Sequence, residues 1–266
     1  MRNKGNVLLM FFAAQSFFGA GCAERASRDY AEQMTVNLIR YEDAMQGLAG
    51  DGYLIAPLCA VAKSDPDAIY EIMENDGSGG FRMRLYTGGK DNLIAQAEED
   101  RVYLDVPVNF PADEDGEIIY AANGAAFHGG GTGRHEIWAM LIEKAFALYH
   151  KSYEALDTGG DPGKAMEMLT GRETKYYATV GMQGEEVIGL IEDSLARGKA
   201  IVAAAPQGEE TDEELSVPLL RGHFYAVIGA GNGRIELYNP HGARHPRPLT
   251  GGEFKNFFSW VFINER

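Results

Sequence analysis

Two apolar segments in the first half of the chain have the residue spacing of helices. The first starts near Gly52 and ends before residues 64–67, where Asp65 as N-cap and Pro66 in the first turn predict a second, short helix. The short helix is expected to run through three apolar residues, Ile69, Ile72 and Met73. The second apolar segment, residues 136–149, predicts a helix with one apolar face. That face consists of Ile137, Leu141, Ala145 and Leu148.

Alternation of apolar and polar residues predicts the strands. In the first half they are residues 81–86, 101–109 and 117–120, with loops at 75–80, 112–116 and 129–133. A composition change near residues 172–180 marks the start of a part richer in strands. Its expected elements are a helix over 185–195 ended by Gly198, a buried strand over 200–205, an acidic surface loop over 208–214, and a hairpin of strands 224–230 and 234–238 around Gly231, Asn232 and Gly233.

These elements predict an α+β protein whose helical first half packs against a β-rich second half. We place a leader at residues 1–22, the helical half at 23–171 and the β-rich half at 172–266. A cleft is expected between the two halves, and clefts at such junctions are where ligands usually bind.

Length and composition are those of an ordinary globular protein. The chain has 266 residues, of which 45% are hydrophobic and 24% are charged. Its formal net charge of -15 argues against nucleic acid as a partner, because binding to phosphates needs clustered Lys and Arg.

The two cysteines, Cys22 and Cys59, are too few for a disulfide framework or a Cys-rich zinc site. Cys59 lies seven residues after Gly52, about two helical turns from the predicted helix start. We therefore expect Cys59 to be a small buried core residue.

The N-terminus has the features of a secretory signal. Arg2 and Lys4 precede a short apolar run at 7–18, and small residues follow at 19–23. We expect export, with the protein secreted, periplasmic or anchored to a membrane by a lipid on Cys22. The alternative is a buried amphipathic N-terminal helix in a cytoplasmic protein. No later segment approaches the ~20 apolar residues of a transmembrane helix.

Four positions that bear on catalysis follow one another in a specific order. Gln46 precedes the helix start at Gly52, and His223 and Asn239 come far downstream, in the motifs Gly-His-Phe and Asn-Pro-His-Gly. This order resembles the layout of a papain-type cysteine peptidase. A helix N-terminus is a suitable place for the nucleophilic thiol, since it favours the thiolate. The position of that thiol holds Gly52.

Further segments make the chain similar to the calpain family in particular. Residues 136–149 resemble the family's Glu-aromatic-Trp helix, and residues 151–156 and 159–160 resemble the Ser-Tyr-Glu segment that follows it. Residues 165–171 resemble the next helix with its Leu-Thr-Gly end. The resemblance covers roughly residues 40–265 and implies a papain-like cysteine peptidase fold.

The resemblance also implies a role for each catalytic position. His223 would take the proton of the thiol and return it to the leaving amine, and Asn239 would orient the imidazole. Gln46 and the backbone N–H of residue 52 would bind the developing oxyanion. Gly52 keeps that N–H but lacks the sulfur that forms the acyl-enzyme.

Four neighbouring residues are expected to line the substrate cleft: Asp51, Tyr53, Gly222 and His241. Two of them depart from the family pattern. Tyr53 stands where the family has tryptophan, and His241 replaces the tryptophan of Asn-Pro-Trp-Gly, which shields the Asn–His bond from water in the family.

No cofactor is required by this chemistry, but animal calpains bind calcium in the catalytic core. Asp43 and Glu136 resemble two of the calcium ligands. Calcium takes about six oxygens, and each carboxylate could instead be a solvated charge. The remaining histidines considered as ligands have no metal-site spacing with carboxylates and are expected to be exposed: His128, His135 and His245.

The sequence thus predicts a calpain-like cysteine endopeptidase scaffold that is inactive as written. Loss of the nucleophile costs on the order of 10⁶ in turnover in a related class of triad enzymes. The alternative is a natural pseudopeptidase that binds a peptide or protein, and an introduced Gly52 substitution in an active protease gives the same sequence. A third possibility, another papain-like acyl transferase such as a transglutaminase-like enzyme, is disfavoured by residues 138–171.

Overall fold

The computed structural model describes residues 27–29, 34–35, 39–77, 79–88, 100–115, 118–123, 135–208 and 219–266. The predicted leader with Cys22, the glycine-rich loop at 129–133 and most of the acidic loop at 208–214 lie outside the described residues. Among the helices that are described, none has the length and apolar character needed to cross a membrane.

The helices lie mainly in the first half of the chain. They are α1 (Gly52–Ser64), α2 (Pro66–Glu71), α3 (Trp138–His150), α4 (Pro162–Thr170), α5 (Gly184–Ala196) and α6 (Gly251–Phe257). Two short 3-10 turns occur at Tyr41–Asp43 and Leu156–Thr158.

The strands of the first half form small sheets. They are β1 (Ser27–Asp29), β2 (Met34–Thr35), β3 (Ala44–Met45), β4 (Met73–Asn75), β5 (Gly80–Tyr86), β6 (Arg101–Pro107), β7 (Asn109–Pro111), β8 (Ala122–Asn123) and β9 (His135–Glu136). Strands β4, β5 and β6 form an antiparallel sheet in that order, and the other pairs are β1 with β7, β2 with β9 and β3 with β8.

The second half forms a six-stranded antiparallel sheet. Its strands are β10 (Thr174–Ala178), β11 (Ala200–Ala204), β12 (Phe224–Gly231), β13 (Arg234–Tyr238), β14 (Leu249–Thr250) and β15 (Trp260–Asn264). The strand order is β10-β15-β11-β12-β13-β14. The expected α+β architecture is therefore observed, and all strands of the large sheet come from residues 174–264.

Helix α1 is buried between the sheet and the other helices. Every residue from Gly52 to Ala62 is buried, and the helix packs against α4, β11 and β12. It is apolar on all sides, so it can be stable only where every face is covered. Its packing fixes the position of its N-terminal tip beside the sheet.

The six-stranded sheet has a core on each face. In β11, Ala200, Val202 and Ala204 pack towards α1, whereas Ile201 and Ala203 belong to a second core. That second core lies under α5 and α6, which contribute Val187, Ile191 and Phe254, and it includes Phe258 directly after α6. Burial on both faces explains why this strand is continuously apolar.

Several predicted elements differ from the observed ones. Helix α2 ends at Glu71, and Met73 instead begins β4, opposite Met83, because strand pairing replaces the next helical turn. Leu148, predicted on the buried face of α3, is 41% exposed because in the last turn of the helix Ala147 and Tyr149 are the residues that pack on the core. Of the strand predicted over 117–120, the described residues 118–120 contain one bridge, between Ile118 and Ala112.

Two further expectations concern single positions. The Asp65 side chain does not cap α2, because it forms an ion pair with Arg172 at 2.6 Å. The hairpin between β12 and β13 is confirmed, and Asn232 (φ 52°) and Gly233 (φ 72°) have the positive φ that its turn requires. Cys59 is fully buried, as expected.

Truncation in the middle of α1 tests its contribution to stability. Leu58→Ala should lower the free energy of unfolding by about 2–5 kcal/mol, because Leu58 is fully buried and the truncation leaves a cavity. Leu148→Ala, at the exposed end of α3, is the matched control and should change it by less than about 1 kcal/mol. Urea denaturation measures both, and equal losses would contradict this description of the core.

Candidate active site

Three residues predicted from the sequence meet at the tip of α1. A Cβ atom placed on Gly52 would lie 3.2 Å from Gln46 Oε1 and 3.6 Å from both Nδ1 and Cε1 of His223. These neighbours are side-chain atoms, so a small side chain at residue 52 needs only a slight shift of the Gln46 amide. The imidazole thus faces the position from which a residue-52 side chain would project.

The imidazole of His223 is held from its other side by Asn239. His223 Nε2 lies 3.1 Å from Asn239 Oδ1, and the same oxygen accepts a hydrogen bond from the backbone N–H of His241 at 3.1 Å. The backbone donor fixes the carboxamide with its oxygen towards His223, so Nε2 must carry the proton that it donates. Nδ1 therefore presents its lone pair to Gly52.

Two contacts hold this couple in place. The backbone N–H of Asn239 donates to His245 Nδ1 at 3.1 Å, and the His245 ring stacks on Tyr238. The backbone N–H of Gln46 donates to the Pro240 carbonyl at 2.8 Å, which ties the segment before α1 to the turn after β13. Sequence reasoning gave His245 no role, because a histidine that supports a neighbour through one ring nitrogen has no spacing signature.

Gln46 presents its acceptor atom to the gap at Gly52. Its Nε2 donates to the Ala49 carbonyl at 2.8 Å, while its buried Oε1 has no hydrogen-bond partner among the described residues. Nε2 carries a second N–H, which could donate to an oxyanion without loss of the bond to Ala49. The polar side-chain atoms nearest to a Cβ at residue 52 are two acceptors, Gln46 Oε1 and His223 Nδ1.

His223 is buried, with 9% of its surface exposed, and this environment disfavours the imidazolium. Burial, followed by the charge of a protonated His241, lowers the pKa of His223 to about 4, and the hydrogen bond to Asn239 opposes both effects. The His241 ring stacks on His223 with ring centroids 4.8 Å apart and an interplanar angle of 7°. Burial also lowers the pKa of His241.

Asp51 lies beneath the site and not in a cleft, so its predicted place beside the substrate is wrong. The residue is fully buried, and its carboxyl group interacts with Glu143 of α3. Burial raises the pKa of Asp51 to about 7, and burial followed by the charge of Asp51 raises the pKa of Glu143. Two interacting carboxylates in a buried place repel each other when both are charged, so the pair retains a proton.

Other contacts complete the support of the helix tip. Both oxygens of Glu143 accept from the Ala121 N–H at 3.0 Å, and Asp157 accepts from the Gly50 N–H at 2.6 Å. Sequence reasoning missed Glu143 and Asp157. A carboxylate within the otherwise apolar middle of α3 is the one signal that could have pointed to Glu143.

The remaining predicted cleft residues differ in exposure. Tyr53 is 7% exposed, and its ring packs on Gly160, where any Cβ would overlap it, so its place in the cleft stays a prediction. Gly222 has φ 62°, and a Cβ there would lie 2.7 Å from Gln207 Oε1, so the position requires glycine. His241 is exposed at the rim of the site.

In the described residues, the predicted calcium ligands do not belong to a larger cluster of candidate metal-binding side chains. Asp43 Oδ2 already accepts from the Arg40 N–H at 3.1 Å, and burial raises the pKa of Asp43. No group of three or more His, Cys, Asp or Glu side chains in the described part of the chain could hold a metal ion. Two carboxylates do not approach the coordination that calcium needs. Calcium binding stays a prediction.

An imidazole held by a carboxamide and facing the tip of a buried helix is the arrangement of a papain-like cysteine protease. A family profile described as "Calpain family cysteine protease" matches residues 24–246. The chain therefore belongs to the calpain family, and its fold is the papain-like fold of the calpain catalytic domain.

Similar proteins include calpains from several animals. The chain is 25% identical to the calpain-1 catalytic subunit of Sus scrofa over 197 residues, 27% identical to calpain-A of Drosophila melanogaster over 194 residues, and 26% identical to calpain-9 of Mus musculus over 207 residues. These matches cover 71%, 70% and 76% of this chain but 24%, 20% and 26% of the relatives. The chain thus spans about a quarter of the length of these calpains.

The shared proton beneath the site predicts a pH dependence of stability. The raised pKa of Asp51 means that its contribution is complete below about pH 4, the usual pKa of an aspartate, and is lost as the pH rises to about 7. In that window the free energy of unfolding should fall as the pH rises, because the folded state binds this proton more tightly than the unfolded state does. Asp51→Asn should reduce the slope, although Glu143 keeps a part of it.

Urea denaturation between pH 4 and 8 measures this slope. Asp193→Asn, on the exposed surface of α5, is the control and should leave the slope unchanged. An equal slope in Asp51→Asn and in the parent chain would contradict the proton-sharing pair.

Proposed function

We propose that this chain is a calpain-type endopeptidase scaffold that has lost its nucleophile, and that it does not hydrolyse peptide bonds as it stands. The observation that carries the proposal is Gly52, which lies opposite Nδ1 of an imidazole whose other nitrogen is bonded to Asn239. Base and orienting amide are arranged for proton transfer, but no sulfur is present at this point to attack a carbonyl.

The residues that remain divide the expected chemistry among them. His223 Nδ1 can accept a proton from a group at residue 52, and Asn239 maintains the ring orientation. The backbone N–H of Gly52 lies in the first turn of α1, where N–H groups lack intrahelical acceptors, and can donate to a peptide carbonyl. Substrate contact without acyl transfer is the expected outcome.

Restoring the thiol should restore the reactivity of the site. The Gly52→Cys variant should be labelled by a peptidyl epoxide or vinyl sulfone, because the new thiol would lie next to the His223 imidazole. Adding His223→Ala should slow labelling by about 10²–10⁴-fold, the usual contribution of a positioned base. Mass spectrometry of tryptic peptides locates and quantifies the label.

The parent chain provides the background control for this experiment. Cys59 should stay unlabelled, since it is buried and its burial raises the pKa of the thiol. A folded Gly52→Cys protein that stays unlabelled, or one whose labelling does not depend on His223, would overturn the proposed arrangement.

A second candidate function is a peptide-binding or protein-binding module that acts without cleavage. It is favoured by the acceptor pair Gln46 Oε1 and His223 Nδ1, which together with the N–H of Gly52 could bond to a peptide backbone. The substrate would lie in the expected cleft between the two halves. Membership of the calpain family favours both of these functions, endopeptidase scaffold and binding module, over another papain-like acyl transferase.

Export, with a lipid on Cys22, stays a prediction from the leader.

Titration calorimetry distinguishes a peptide-binding module from a protein that neither binds nor cleaves peptides. Extended peptides from a broad library should release or take up heat on binding and should be recovered intact. Gly52→Val should weaken the binding, because its branched side chain would fill the gap between Gln46 and His223. If no peptide of the library gives heat on binding, the chain is not a peptide-binding module. If peptides are recovered cleaved, the proposed loss of peptidase activity is wrong.

A further inference from the structure

The ring of His241 stacks directly on the ring of His223. The two imidazole rings are nearly parallel, at 7°, and their centroids are 4.8 Å apart. His241 belongs to the turn after β13, at the position where the resemblance to calpains leads one to expect a tryptophan. The chain therefore has a titratable ring in place of an aromatic ring without charge.

The stack is held together by Asn239. One oxygen of that side chain accepts from His223 Nε2 and from the His241 backbone N–H, both at 3.1 Å. The second of these bonds involves only the backbone of His241, so it is independent of the side chain at that position. The shared acceptor keeps the turn, and with it the His241 ring, against His223.

Other ionisable groups approach the pair from the surrounding elements. Tyr225 of β12 meets His223 edge-on at 5.1 Å, and Asp51 precedes Gly52 at the tip of α1. His245 bonds to the backbone of Asn239 and stacks on Tyr238. Within the described residues, His241 is the group whose charge acts on the protonation of His223, while the interactions of Asp51 are with Glu143 and Asp157.

We propose that His241 is a positioning residue that couples its own protonation to that of His223, so that the stacked pair carries one positive charge at a time. Two imidazolium rings in parallel contact repel each other, and a buried ring has little water to screen the repulsion. His241 has the more exposed ring and therefore takes up the first proton on acidification. Nδ1 of His223 keeps its lone pair towards Gly52 while His241 carries the charge.

The proposal depends on the geometry of the pair and not on whether the chain binds or cleaves peptides. The experiment uses the chain as it exists, without peptide and without a restored thiol. If Gly52→Cys is not labelled, the proposed function is wrong, but the coupling of His241 and His223 is unaffected. If the coupling is not observed, the proposed function is unaffected.

NMR titration of the histidine ring signals measures the coupling. In the parent chain the His223 and His241 signals should share two inflections, as coupled sites do. In His241→Phe, which keeps a stacked ring without a charge, His223 should titrate in one step with a proton affinity at least about tenfold higher. Because linkage is reciprocal, His223→Phe should raise the proton affinity of His241 by a similar factor.

His150→Asn is the control. It removes an imidazole at the exposed C-terminal end of α3, outside the His223–Asn239 couple, so it should leave the His223 titration unchanged. A single His223 inflection at the same pH in the parent chain and in His241→Phe would overturn the proposal. So would a shift of equal size in His150→Asn.

Discussion

The burial of α1 is the constraint on which the site depends. A helix that is apolar on every side cannot slide or rotate towards water without exposing side chains whose burial contributes about 1.5–3 kcal/mol each. Contacts with β11, β12 and α4 fix the position of α1 in the core. The hydrogen bond from the Gln46 N–H to the Pro240 carbonyl joins the segment before α1 to the turn that carries Asn239. The tip of the helix and the imidazole are therefore positioned by the same packing.

This packing explains how the site can keep its geometry without the nucleophile. His223 and Asn239 are held by the sheet and by the turn after β13, and none of their described contacts requires a side chain at residue 52. The acidic residues beneath the tip belong to the same support. Asp51 and Glu143 can remain close in a buried place only by retaining a proton, so the support of the helix tip is itself sensitive to pH.

Sequence patterns predicted the parts of the structure that depend on local order. The limits of α1, the doubly buried strand β11 and the hairpin at Asn232 and Gly233 follow from periodicity and turn chemistry. Gln46, Gly52, His223 and Asn239 were found because family motifs preserve their order along the chain. The contacts of Glu143 and Asp157 could not be predicted, since they depend on how α3 and the turn at Leu156–Thr158 pack beneath α1. Leu148 and Met73 were misassigned for a related reason, because periodicity does not show where tertiary packing ends a helix face.

The proximity of residue 52 and His223 is tested most directly by a nuclear Overhauser effect. One α-proton of Gly52 points along the direction of the absent Cβ, whose position is 3.6 Å from His223 Cε1. A cross-peak between that α-proton and His223 Hε1 in the folded chain is the predicted result. If His223 Hε1 shows cross-peaks to the His241 ring but none to Gly52, the helix tip does not face the imidazole and the account of this site is wrong.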